Sequence, residues 1–258
     1  MDSDESKLVI TENETVKQAY KNYSLLKQEV DDWQQERGPY WVDRLSLAET
    51  PPYLPILDLP AEAMMELWQR LNIVAKVQIS DSDLRELWEQ LGKGQNVIDA
   101  EMSSRLQMAI SGVARLASEM VNEKRSADQN SGNMASYGSS GSAVCPVCGE
   151  EANLALLIPP NGQRIMHCSS CSFEWPVKRV GCLYCGSEDS KQQMFLQNEA
   201  FPGVEMAVCQ ICGRYFKEID ARELVVHDFV WEDLRTLPLN FAAENWLAEL
   251  AKKNNQIN

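Results

Sequence analysis

Cysteine is missing from the first 144 residues and the last 46 of this 258-residue chain, so all eight thiols fall between Cys145 and Cys212. A disulfide or thiolate site elsewhere is excluded. Histidine is almost absent too: His167 and His227 are the only two, which excludes sites built mainly from imidazole. No run approaches the roughly 18 apolar residues that mark a membrane-spanning helix. The amino terminus, MDSDESKLVI, is acidic where a secretory leader would be basic and then apolar. These absences give the expectation of a cytoplasmic chain with no membrane span. Positive charge is also scarce, with 24 Lys and Arg against 38 Asp and Glu and a formal net charge of −14. A polyphosphate is repelled overall, and only a local basic stripe would admit nucleic acid.

What the chain does have is a 44% apolar fraction, enough for a packed core. Residues 14 to 121 read as helical. Leu84, Leu87, Trp88 and Leu91 recur at spacings of three and four between a Ser80/Asp81 start signal and Gly92. Pro60 suits the first turn of a helix carrying Met64, Leu67, Trp68, Leu71 and Val74. Met102, Leu106, Ile110, Val113, Leu116 and Met120 mark a long helix, and a more polar one covers roughly 14 to 36. Apolar stripes at this spacing are what buries a helix, so these are read as a bundle core. Glu62, Glu66, Glu86 and Glu89 are read as a solvated face.

Between Arg125 and Ala143 the chain is rich in Ser, Gly and Asn and has few large apolar residues, the composition of a linker. The expected organisation is a helical domain over 1–124, a linker over 125–144, four-cysteine ribbons over 145–180 and 181–222, and a tail over 223–258. In that tail Glu223 to Val226 alternates like a strand, and Phe229 to Leu250 reads as one or two helices.

The cysteines form four Cys-x-x-Cys pairs: Cys145/Cys148, Cys168/Cys171, Cys182/Cys185 and Cys209/Cys212. Glycine follows the first, third and fourth, which suits a knuckle whose tight turn needs positive φ. The 19 residues between Cys148 and Cys168 contain PPNG, and the 23 between Cys185 and Cys209 contain FPG. Each interval fits a hairpin that returns the second knuckle to the first. CSSCSFEW and CQICGRYF resemble one another, so the region reads as a tandem repeat in which Cys168/Cys171 closes one site and Cys182/Cys185 opens the next. A cross-brace between the first and third pairs, or a site made from the middle pairs, remains as an alternative. Paired catalytic dithiols of thioredoxin type would need a βαβ setting, and none is visible.

Four thiolates suit either zinc or iron, and spacing does not choose between them. With four sulfurs per site, His167 is not needed as a ligand. Phe173, Trp175, Tyr215 and Phe216 read as small ribbon cores rather than as base-stacking platforms. From Cys145 to Arg222 there are seven Lys/Arg against nine Asp/Glu, which is not a nucleic-acid footprint.

These residues resemble a known family, the formate dehydrogenase accessory protein FdhE. The resemblance rests on CPVCG at 145–149, Arg164 shortly before His167 and Cys168, Glu174-Trp175, Arg179, CLYCG at 182–186, and Cys209/Cys212 leading into Tyr215, Lys217 and Asp220. It covers about 145 to 222. It implies an α+β chain in which a helical amino-terminal domain precedes two tandem rubredoxin-like or zinc-ribbon modules, each of the eight cysteines being a metal ligand for two iron or zinc ions. It further implies a non-enzymatic assembly chaperone that binds the formate dehydrogenase catalytic subunit during maturation, with Glu174, Trp175 and Arg179 as candidate partner-binding residues. A zinc-ribbon nucleic-acid or transcription-related module and a rubredoxin-type electron carrier are the two alternatives.

Overall fold

The computed structural model describes residues 14–130 and 142–255. Four helices come first: α1 (Glu14–Val42), α2 (Ala61–Val74), α3 (Asp81–Gly92) and α4 (Ala100–Asn130). Their starts have local causes. The Ser80 side chain accepts from the Asp83 N–H at 3.1 Å and Asp99 accepts from the Met102 N–H at 2.7 Å, each satisfying a donor that a helix start leaves open. Pro60 sits just before α2 instead of inside its first turn. The stripe of α2 buries Met64, Leu67, Trp68 and Leu71 against Val30 and Trp33 of α1 and Ala109, Val113, Leu116 and Ala117 of α4.

Six strands follow: β1 (Leu154–Ile158), β2 (Gln163–His167), β3 (Glu174–Pro176), β4 (Gln193–Gln197), β5 (Val204–Cys209) and β6 (Tyr215–Asp220). Their order in the sheet is β3-β2-β1-β6-β5-β4. Within each half the pairing is antiparallel, and the turns at PPNG and FPG place Gly162 and Gly203 at φ of +70° and +78°. The halves join through a parallel pairing of β1 with β6. The third strand of the second ribbon therefore docks beside the first strand of the first, as a tandem repeat laid side by side would do.

The two tandem four-cysteine ribbons expected after the helical region are both present, joined side by side through this pairing. They form one sheet whose strands β1, β5 and β6 are buried on both faces, successive side chains pointing to opposite sides, while the edge strand β4 stays largely open. Ala155, Met166, Trp175, Ala207 and Phe216 belong to the same core as the helical bundle. Leu154, Leu156, Val204, Met206, Val208 and Ile219 face Leu239 and Ala243 of the carboxy-terminal helix α6 (Leu237–Asn255). A short helix, α5 (Phe229–Arg235), precedes α6 and is pinned by the buried Lys217, whose Nζ donates to the Asp233 carboxylate at 2.6 Å and carbonyl at 2.8 Å.

Other boundaries shift as well. Helix α4 runs to Asn130, into the stretch expected as linker, and residues 131–141 of that stretch lie outside the described residues. Helix α1 continues past 36 and through Pro39 to Val42. Glu223 to Val226 is not a strand: the β5/β6 hairpin already completes the sheet, and the segment serves as the turn into α5. Glu66 is not part of a solvated face. It accepts from the buried Trp33 indole N–H at 3.0 Å and from Arg37 Nε at 2.6 Å.

Candidate metal centres

The four knuckles share one backbone pattern. The residue after each pair donates its N–H to the carbonyl of the first cysteine: Gly149 to Cys145 at 3.0 Å, Ser172 to Cys168 at 2.8 Å, Gly186 to Cys182 at 3.1 Å and Gly213 to Cys209 at 2.9 Å. These four residues sit at φ of +78°, +59°, +74° and +67°. The turn requires the left-handed region, which explains the three glycines; Ser172 adopts it without glycine's freedom. In turn the first cysteine of each pair donates its N–H across the turn, to the carbonyls of Glu150, Phe173, Ser187 and Arg214 respectively.

The hairpins then bring the knuckles together in sequential order. Cys145, Cys148, Cys168 and Cys171 form one cluster and Cys182, Cys185, Cys209 and Cys212 the other, with the sulfurs of each all within 4.8 Å of one another. Cys145 and Cys171 are 3.5 Å apart, as are Cys148 and Cys168; Cys182–Cys212 and Cys185–Cys209 measure 3.7 and 3.8 Å. Four thiolates at about 2.3 Å from a tetrahedral ion lie about 3.8 Å apart, so both clusters can hold a metal ion.

The electrostatics agree with that use. Hydrogen bonds from neighbouring sulfurs, and then burial, push the Cys145 and Cys171 thiols up, while bonds from Cys145 and Cys148 hold Cys168 down. In the second cluster burial raises Cys212 to about 12. Burial also acts on Cys209, but the N–H groups of Cys212 and Ile211 and the Gln193 amide outweigh it and bring that thiol to about 7. The Gln193 amide lies 3.6 Å from Cys209 Sγ, and the Tyr184 and Cys185 N–H groups point at Cys182 Sγ from 3.4 and 3.5 Å. Such donors orient sulfur ligands and tune a bound metal.

Burial separates the two clusters. All four sulfur residues of the first are buried, whereas Cys185 is exposed and Cys212 half-buried in the second. The first cluster is also fixed to the helical body. The Tyr53 and Leu54 N–H groups donate to the Pro146 and Val147 carbonyls at 3.0 and 2.8 Å, and Val147 is completely buried. Tyr184, inside the third knuckle, ties the clusters together through its hydroxyl, which lies 3.2 Å from the Ala152 carbonyl and 3.1 Å from that of Tyr215. The Tyr184 contact carries no spacing signal in the sequence, because it depends on how the two ribbons meet, whereas Gln193 reaches Cys209 from the directly paired position on the neighbouring strand β4.

The other sequence candidates take different places. His167 is buried and is not a ligand; its Nδ1 lies 3.0 Å from Glu174 Oε1 and its ring packs on Phe229. Trp175 is 1% exposed, and its indole N–H donates to the Ser142 carbonyl at 3.1 Å. This corrects its reading as a partner contact, since the ring offers no surface. Arg179 is exposed, 3.6 Å from the buried Glu218 carboxylate. Phe173 and Phe216 are buried, which removes them as base-stacking platforms.

No protein-family model matches the chain. It is 32% identical over 106 residues to an FdhE homolog of Aquifex aeolicus, covering 39% of this chain and 36% of that protein. To an FdhE homolog of Edwardsiella ictaluri it is 34% identical over 103 residues, covering 39% and 33%. The match thus spans about a third of the length of these curated relatives. The crystal structure of the FdhE protein from Pseudomonas aeruginosa has the same fold, with a TM-score of 0.52 at 17% identity over 88% of this chain and 90% of that one. The chain is therefore an α+β protein with the fold of FdhE and two four-cysteine clusters, similar over about two fifths of its length to proteins of that name.

Proposed function

We propose that the chain is a cytoplasmic accessory protein for formate dehydrogenase, an assembly chaperone that binds the catalytic subunit during maturation and turns over no substrate itself. The observation that carries this reading is the pair of four-sulfur clusters on one sheet, in a chain similar to FdhE homologs at about 30% identity. The donor set fits a metal ion at both clusters, iron or zinc, with Cys145, Cys148, Cys168 and Cys171 holding one and Cys182, Cys185, Cys209 and Cys212 the other. Glu174 and Arg179, whose side chains are 41% and 46% exposed, are the proposed contact residues, and Trp175 supports them from inside the sheet. Among the described residues, no helix is long and apolar enough to cross a membrane.

A second reading, a rubredoxin-type electron carrier, draws on the exposure of Cys185, because iron held near solvent can exchange an electron with a partner. Nucleic-acid binding has no such support. The deciding experiment is co-purification of the anaerobically prepared protein with a formate dehydrogenase catalytic subunit, lost on Cys145→Ser or Cys182→Ser. Glu174→Ala with Arg179→Ala should weaken capture while leaving metal content intact. An intact protein that ignores the subunit would sink the chaperone reading, and a colourless preparation carrying two zinc ions would sink the redox one.

A further inference from the structure

Strands β5 and β6 set Glu205 directly opposite Glu218. Both point to the face of the sheet that carries Ala207 and Phe216, two residues along each strand. Like charges placed opposite one another are destabilising unless something answers them. Glu218 is answered at one oxygen. It is 1% exposed, and its Oε2 accepts from Arg164 at 2.7 Å, but the partner of its Oε1 is Arg179 Nη1, at 3.6 Å and beyond hydrogen-bond reach. Glu205 accepts from the Gln197 amide at 2.7 Å and has no ion pair among the described residues.

These two carboxylates line a cavity of about 490 Å³ beside the β4/β5 turn. Its two guanidiniums are already engaged, Arg222 with Asp220 and Arg179 with Glu218. Glu199 and Glu223 add carboxylates that have no ion pair among the described residues. The cavity therefore combines an excess of negative charge with a buried oxygen whose hydrogen-bonding position is open, and both features call for a cation that donates hydrogen bonds.

The arrangement narrows the kind of cation. Among the described residues, only the two cysteine sets bring three or more metal-type ligand atoms within 4.8 Å of one another. The carboxylates of the cavity are thus too dispersed for a compact divalent ion and suit an extended organic one. A guanidinium is planar and can bond two carboxylates at once. Leu157 and Phe201 give the cavity an apolar wall for the stem of such a side chain.

We propose that this cavity seats an arginine side chain of the partner polypeptide, its guanidinium between Glu205 and Glu218 and its stem against Leu157 and Phe201. The inference rests on the accessory reading above, in which Arg179, lining the same cavity, is a contact residue.

Calorimetric titration of the metal-loaded full chain with the capped peptide Ala-Ala-Arg-Ala-Ala, and with the same peptide carrying citrulline, the neutral isostere of arginine, tests this. The arginine peptide should bind, and citrulline should weaken it about tenfold or more. Glu205→Gln, nearly isosteric and able to keep the Gln197 contact, should weaken the arginine peptide by a similar factor, whereas Glu249→Gln, which removes an equal charge from the exposed face of α6, should leave it unchanged. No binding at millimolar peptide overturns the proposal, as does equal binding of the two peptides, which needs no variant to fold. A loss that is the same in Glu205→Gln and Glu249→Gln also overturns it, since general attraction to an acidic chain would then suffice. Capture of the catalytic subunit by the intact chain that is undiminished in Glu205→Gln would overturn the site and leave the accessory reading standing; arginine-selective binding in a chain that ignores the subunit would support the site and remove that reading alone.

Discussion

Arg164 on β2 donates to the Glu218 carboxylate on β6 at 2.7 Å, across β1, with both side chains 2% exposed. The pair joins the two ribbons from inside. Burial pushes the Glu218 carboxyl up, despite Arg164 and Arg179, and pulls the Arg164 guanidinium down. Both shifts have one meaning: loss of water weighs against each charge more than the partner restores. Removing one partner should therefore be costly. Arg164→Ala or Glu218→Ala is expected to lose about 3–5 kcal/mol, whereas Arg164→Met combined with Glu218→Leu should stay near wild type or above it. Urea unfolding of the three variants checks this, and mild single losses would contradict an interior pair.

Glu66 should give the acid limb of stability. Burial raises its carboxyl, but the hydrogen bonds from Arg37 and Trp33 more than offset that and leave it below the ordinary carboxylate range. A carboxylate lowered in the fold stabilises above its unfolded value, about 4.3, and loses that contribution as pH falls through its folded value. Glu66→Gln should therefore flatten the fall in the urea midpoint below about pH 4.3. At pH 7, Glu66→Ala should lose about 1–3 kcal/mol, because it strands the Trp33 N–H in the core. An unchanged acid limb in Glu66→Gln would count against the assignment.

The parts of this molecule written by local spacing were legible. The Ser80 start, the stripe of α2 and the turns at PPNG and FPG all depend on residues within a few positions of one another. The grouping of the thiols could be argued only because the repeat occurs twice. What stayed hidden arises where distant segments meet: the parallel β1/β6 pairing, the docking of Tyr53 and Leu54 on the first knuckle, and the Arg164–Glu218 pair. Glu66 misled for the same reason. Its polarity suggested solvent, and only the neighbouring α1 supplies the indole and guanidinium that use it.

Gly112 sets the distance between α4 and its neighbours. A Cβ there would lie 2.6 Å from Leu67 Cδ2 and 2.8 Å from Val30 Cγ1, and both side chains are buried. Alanine is favoured over glycine in a helix by about 1 kcal/mol, but overpacking a closed core costs about 1–3 kcal/mol. The clash should win, since the β-branched Val30 has few ways to give. Gly112→Ala is expected to lower the unfolding midpoint, whereas Gly92→Ala, with open space around its Cβ, should leave it unchanged or raise it. Stabilisation by Gly112→Ala would mean that the three helices pack less closely than described.

Metal removal should proceed in a fixed order. Cys185 is exposed and Cys212 half-buried, so a chelator can reach the second cluster, whereas Cys145, Cys148, Cys168 and Cys171 lie under the helical body. Released metal should therefore appear in two phases. The fast phase should vanish in Cys185→Ser, and the slow one should require unfolding. The structural consequences differ too. Loss of the second ion should spare the amino-terminal helices α1 to α4, because Tyr53 and Leu54 dock on the first knuckle alone. Loss of the first should broaden or abolish the cooperative unfolding of the helical body, since Val147, Cys145 and Cys148 share its core. Metal release followed alongside helical circular dichroism tests both points, and a single phase, or a slow phase that leaves helical unfolding untouched, would contradict a first cluster built into the body's core.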